Sequence, residues 1–186
     1  MPDIRTPATR AFAEGYASLR AQSGGALPSK AGLDLTRFTR AVPHFALVAI
    51  TYSGSCVYRL AGEALQERIG FNPTGRNYYD FVPEARRAHA ARAMEMVVRI
   101  PCGFRALVHQ VYDDGATRTI ETLGLPLADR EPGIDGFILF ADQALPDPAI
   151  YQAPGKHWLG ASLQRRDLID LGFGVDPDFV DLVRAD

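Results

Sequence analysis

Cysteine is scarce in this chain: Cys56 and Cys102 are the only two among 186 residues. Two thiols this far apart form no disulfide framework, and a reducing compartment is the simpler reading. There is no Cys-x-x-Cys pair, and the histidines at 44, 89, 109 and 157 lack His-Glu-x-x-His spacing, so no zinc site is expected. Charge of one sign is also lacking, with 20 basic residues against 22 acidic and a formal net charge of -2. No basic excess is present to recruit nucleic acid, and no nucleic-acid partner is expected. Long apolar runs are missing too. Runs such as Phe45 to Ile50 and Phe137 to Ala141 are strand-sized and far short of the roughly 20 residues that cross a bilayer. The start, Met-Pro-Asp-Ile-Arg-Thr-Pro, has no apolar signal core. Together these lacks point to a soluble, cytoplasmic protein.

Enzyme signatures are absent as well. There is no Gly-x-Ser-x-Gly elbow and no phosphate-binding loop ending in Gly-Lys-Ser/Thr. Gly172-Phe173-Gly174 begins like a dinucleotide loop, but the third glycine position holds Pro177.

The hydrophobic content is 47%, enough for one domain with a true core and terminal extensions. Thr6-Pro7 is a helix start, since Thr can cap and Pro suits the first helical position. Phe12, Tyr16 and Leu19 then follow at helical spacing until Ser23-Gly24-Gly25. Asp34 can cap a second short helix carrying Leu35, Phe38 and Val42, which Pro43 stops. Phe45 to Tyr52 and Cys56 to Leu60 predict a hairpin of two strands, and Glu63 to Ile69 a short helix. A longer helix is predicted over about Pro83 to Val98. Three strands follow: Phe104 to Tyr112, Arg118 to Leu127 and Gly136 to Gln143. Asp113-Asp114-Gly115 forms the turn between the first two. Pro146, Pro148, Pro154 and Gly155 mark a linker, and the residues from Trp158 onward are expected to be a helical segment or tail. This order suits an α+β fold: one antiparallel sheet of five strands, with helices on one face. The expected divisions are 1–32 for the N-terminal helix and connector, 33–145 for the main domain, and 146–186 for linker and C-terminal tail.

The run Gly70-Phe71, then Gly75-Arg76-Asn77-Tyr78-Tyr79-Asp80-Phe81-Val82-Pro83-Glu84, resembles the middle of PAS domains. Tyr58-Arg59-Leu60-Ala61-Gly62 resembles a bacterial PAS-like subfamily known mainly from alphaproteobacteria, often as stand-alone proteins. The resemblance covers about residues 33 to 145. It implies a five-stranded antiparallel sheet facing the long helix, with a cavity between them that in some relatives holds haem, flavin or a small metabolite. It also implies a sensory or regulatory module in signal transduction, not an enzyme, that binds a small molecule or a partner protein. The flavin-photoreceptor branch carries a cysteine in the short helix before the Gly-Arg loop. None stands there in this chain, so no photochemical flavin adduct is expected.

Candidate ligand-binding residues come from the faces of the predicted elements. Ala90, Ala93, Met94 and Val97 share one face of the long helix, with Arg86 and His89 on or beside it. An imidazole and a guanidinium there could meet an anionic ligand. In haem-binding relatives a His from this helix ligates the iron, and His89 would be that residue. Otherwise His89 is a partly buried helix-edge side chain and Arg86 reaches solvent. Along the strand from Phe104, alternation turns Gln110 and Tyr112 toward the cavity and leaves Arg105 and His109 on an exposed face. Arg59 is singled out by the subfamily resemblance, for a structural or ligand-facing role. Competing functions are a small cavity enzyme of the ketosteroid-isomerase type and an adaptor with a filled core. The apolar stripe of the N-terminal helix predicts a homodimer paired through it, or burial of the stripe in its own domain.

Overall fold

A computed structural model describes residues 3–146 and 158–178. The chain opens with α1 (Pro7–Gln22), whose N-cap Thr6 accepts from the Thr9 amide and whose Pro7 occupies the first turn. Leu35–Phe38 and Val42–His44 are short 3-10 turns rather than the single helix expected from Asp34. Pro43 has no amide proton to continue a helical ladder. Phe38 instead tucks between Phe12 and Phe45, with ring centroids 6.0 and 5.4 Å away. Gly15 makes room for it, since a Cβ there would sit 2.6 Å from the Phe38 ring.

The hairpin β1 (Phe45–Thr51) and β2 (Cys56–Ala61) leads into α2 (Glu63–Ile69). Gly70 ends α2 in the left-handed region at φ 83°. A 3-10 turn over Tyr78–Phe81 precedes α3 (Glu84–Arg99), with Glu84 in its first turn and Arg99 in its last, as the helix dipole favours. Then come β3 (Cys102–Tyr112), β4 (Thr117–Leu127) and β5 (Ile134–Ala144). These strands form the expected antiparallel sheet, and the fold is α+β.

Two features extend that expectation. Trp158–Asp170 is a sixth strand, β6, and not a helical tail. The sheet order is β2-β1-β5-β4-β3-β6, with every neighbouring pair antiparallel. β6 escapes a sequence reading because Gln164-Arg165-Arg166-Asp167 interrupts its apolar alternation and its register against β3 shifts between Leu107 and Val108. The expected linker residues Pro148, Pro154 and Gly155 lie outside the described residues.

Helices also cover both faces instead of one. α2, the Tyr78–Phe81 turn and α3 pack on the inner face with Ala46, Val48, Phe104, Ala106, Ile138 and Phe140. α1 packs on the outer face with Phe45, Ala49, Leu123, Leu125, Phe137 and Leu139. The α1 stripe is spent there, with Phe12, Tyr16 and Leu19 all buried against the chain's own sheet. That is the second of the two fates expected for it, and the surface foreseen for pairing two copies is used within one.

The outer face corrects another expectation. Arg105 is buried, not exposed. Its Nε donates to Glu121 Oε1 at 2.8 Å and its Nη1 lies 3.2 Å from Asp167 Oδ2 on β6. Glu121, itself buried, accepts from the Arg5 and Thr6 amides (3.0 and 2.7 Å) and from Thr9 Oγ1 (2.7 Å). The start of α1 is thus clamped to the middle of the sheet. No helix among the described residues is long and apolar enough to cross a membrane.

Candidate functional site

Strand alternation aims Ala46 and Val48 of β1, Phe104, Ala106, Val108 and Gln110 of β3, and Phe140 and Asp142 of β5 at the inner helices. The helices do not fill the space, and a cavity of about 140 Å³ remains between them and the sheet. Leu65 and Ile69 of α2 and Ala90 and Met94 of α3 supply its apolar far wall. Tyr58 and Tyr78 close one side, edge to face with centroids 6.3 Å apart. Burial pushes the Tyr78 hydroxyl up to about 12 and the Tyr58 hydroxyl well above its ordinary value, so both stay neutral donors. Ala161, Ser162, Leu163 and Arg166 bring β6 into the wall. The Arg166 guanidinium rests 5.6 Å from the Phe104 ring centroid.

One end of the cavity is polar. Gln110 Oε1 accepts from Arg68 Nη1 at 2.6 Å and from the Tyr112 hydroxyl at 3.0 Å. Arg68 Nη2 lies 3.5 Å from Asp142 Oδ2. The other carboxylate oxygen, Asp142 Oδ1, is buried with no hydrogen-bond partner. Burial raises the Asp142 carboxyl above its ordinary value, and the Arg68 charge, the nearby Thr122 hydroxyl and His44 offset this only in part.

The structure brings Arg86, His89 and Gln110 to this cavity. Tyr112 is fully buried one step behind, reaching the site by holding Gln110. Arg59 is exposed and does not line the cavity, because on β2 it points away from its neighbour Tyr58, which does. Sequence reasoning missed Asp142, Arg68, Tyr58, Tyr78 and Arg166. Asp142 had a usable signal, since it follows Ile138 and Phe140 in the inward phase of a strand. Arg166 had none, because its strand was not recognised.

The cavity also bears on the cofactors found in PAS relatives. A space of about 150 Å³ holds benzene, so about 140 Å³ does not take a porphyrin or a three-ring flavin as folded. His89 lines the wall, but a haem plane has no room beside it. Cys56 and Cys102 are both buried in the core and neither lines the cavity. Burial holds both thiols above their ordinary values, Cys102 at about 11, which leaves them unreactive.

Comparisons with known proteins bear on the same fold. No curated protein matches the chain. Among solved structures, VqmA bound to DPO is 21% identical with a TM-score of 0.45, the match covering 62% of this chain and 57% of that one. The PAS domain of a Colwellia psychrerythraea protein is 13% identical with a TM-score of 0.41, covering 60% and 96%. The Rhodobacter sphaeroides LOV protein is 11% identical with a TM-score of 0.45, covering 75% and 69%. The profile of the PAS domain family matches residues 4–138, and over that span, most of its length, the chain belongs to the PAS domain family.

Proposed function

We propose that this PAS domain is a sensory or regulatory module whose inner cavity binds a small molecule and passes its occupancy to a partner protein. The observation that carries this reading is the cavity itself. At about 24 cal/mol per Å³, leaving such a space empty costs about 3 kcal/mol, a large share of a domain's net stability. A domain serving only as an adaptor would gain by filling it with larger side chains. Placing a carboxylate with one buried oxygen, Asp142, at its edge adds a further cost that a packing role does not need.

The wall suggests how occupancy leaves the site. β6 contributes Ser162, Leu163 and Arg166, and the chain beyond it returns to α3. There Arg99 pairs with Asp176, and Arg92 lies 3.4 Å from Asp178. A ligand that moves β6 would therefore move the segment that follows it. A catalytic role is less well supported, because the cavity's carboxylate is already engaged with Arg68 rather than poised against a base. The two thiols are free and buried, which agrees with a reducing, cytoplasmic setting.

The test is native mass spectrometry of the purified protein, with its absorbance spectrum, followed by a thermal-shift screen of small aromatic and aliphatic compounds on ligand-free protein. A retained small molecule, or a compound that raises Tm and shifts the NMR signals of Met94 and Leu65, supports the reading. A protein that retains nothing and takes up nothing sinks it.

A further inference from the structure

We infer that the cavity selects a neutral molecule of about single-ring size that donates one hydrogen bond to Asp142 Oδ1. This rests on the ligand-binding reading proposed above and narrows it to a chemical class.

The size follows from the volume, since about 140 Å³ is close to the space that holds benzene. The apolar body follows from Leu65, Ile69, Met94, Phe104 and Phe140, which make up much of the wall. The donor follows from Asp142. Its Oδ2 faces Arg68 at 3.5 Å, while Oδ1 is buried without a hydrogen-bond partner on the edge of the cavity. A buried carboxylate oxygen left unbonded is costly, and a hydroxyl or N–H from the ligand removes that cost.

Neutrality follows from the charges already present. Among the described residues Asp142 is the single carboxylate that lines the cavity, and Arg68 already balances it, so a cationic ligand finds no spare countercharge there. Arg86 and Arg166 also line the cavity, but each has interactions of its own, and an anion drawn to them would lie within a small cavity beside Asp142. A neutral donor satisfies Oδ1 without disturbing either balance. Gln110 cannot replace Asp142 in this role through its carbonyl oxygen, which already accepts from Arg68 and Tyr112.

The experiment uses four single-ring probes on the full, ligand-free chain: phenol, toluene, benzoate and benzylammonium. Dissociation constants come from titrations followed by methyl NMR at neutral pH. Phenol is expected to bind about tenfold more tightly than toluene, the worth of one hydrogen bond to a charged acceptor. Both ions are expected to bind more weakly than phenol. In Asp142→Asn the phenol preference over toluene should shrink to about threefold or less, a neutral acceptor being roughly half as strong. Toluene binding as tightly as phenol, or either ion binding more tightly, overturns the inference and leaves the ligand-binding reading standing. Failure of both phenol and toluene to bind removes the ligand-binding reading and this inference with it. The wild-type series decides the matter even where Asp142→Asn does not fold.

Discussion

Each face of the sheet buries a carboxylate beside an arginine, and the two pairs fare differently. Glu121, on the outer face, is more deeply buried than Asp142 on the inner face. Burial raises the Glu121 carboxyl, but the hydrogen bonds from Thr9, Thr6, Arg105 and Arg5 outweigh it and hold the group below its ordinary value. Burial also raises Asp142, and there the Arg68 charge, with Thr122 and His44, does not outweigh it. More donors meet Glu121 than meet Asp142. Glu121 has its lone pairs answered by a helix N-terminus, a hydroxyl and a guanidinium. Asp142 has an oxygen left over, facing a space. A satisfied buried acid is a fastening, and on the reading proposed above one with capacity to spare is a ligand contact.

The hardest test of this contrast is Glu121→Ala. It leaves Arg105 with Asp167 alone and releases the start of α1, and should cost about 3–5 kcal/mol in urea unfolding. A cost under about 1 kcal/mol would mean that apolar packing alone seats α1.

The pH dependence of stability sharpens the same comparison. Glu121 has a folded pKa below its ordinary 4.5, so its contribution is present above 4.5 and is lost as pH falls through the folded value. Asp142 has a folded pKa above its ordinary 3.8, so its contribution is full below 3.8 and is lost as pH rises through the folded value. The two slopes have opposite sign, that of Glu121 lying below its ordinary 4.5 and that of Asp142 above its ordinary 3.8. Glu121→Gln should flatten the acid limb of the urea-midpoint profile, and Asp142→Asn should steepen it. Changes of the same sign in both variants would break the contrast.

At neutral pH, Asp142→Asn should alter stability by less than about 1 kcal/mol, because the carboxylate it replaces is only partly compensated. A loss as large as that of Glu121→Ala would show the inner pair to be a fastening too. The smallest effect belongs to Arg59→Ala, exposed on β2, which should stay within about 0.5 kcal/mol and leave phenol binding unchanged. A weakened phenol affinity would bring Arg59 back to the site.

Much of the fold was legible in local pattern. The α2 limits agree with the sequence at both ends, β1 and α3 fall within one residue of it, and Asp113-Asp114-Gly115 makes its turn with Gly115 at φ 81°. The site was legible where a side chain's direction follows from its own element, as for His89, Arg86 and Gln110. It was not legible where direction depends on a partner. Arg105 looks like a solvent-facing residue until α1 and β6 cover it with Glu121 and Asp167. Tyr112 has the right phase on β3 but lies past the end of the cavity.

By itself the sequence determined the elements and their inward phases, because turns, caps and alternation are set by residues a few positions apart. It also determined that an amphipathic first helix must bury Phe12, Tyr16 and Leu19. Only the tertiary structure decided that the burial is within one chain, that Trp158–Asp170 joins the edge of β3, and that Arg68 and Asp142 meet across 74 residues of sequence. Those outcomes rest on contacts between distant segments, where volume, charge and hydrogen-bond capacity must be matched in three dimensions, and no local period records such a match.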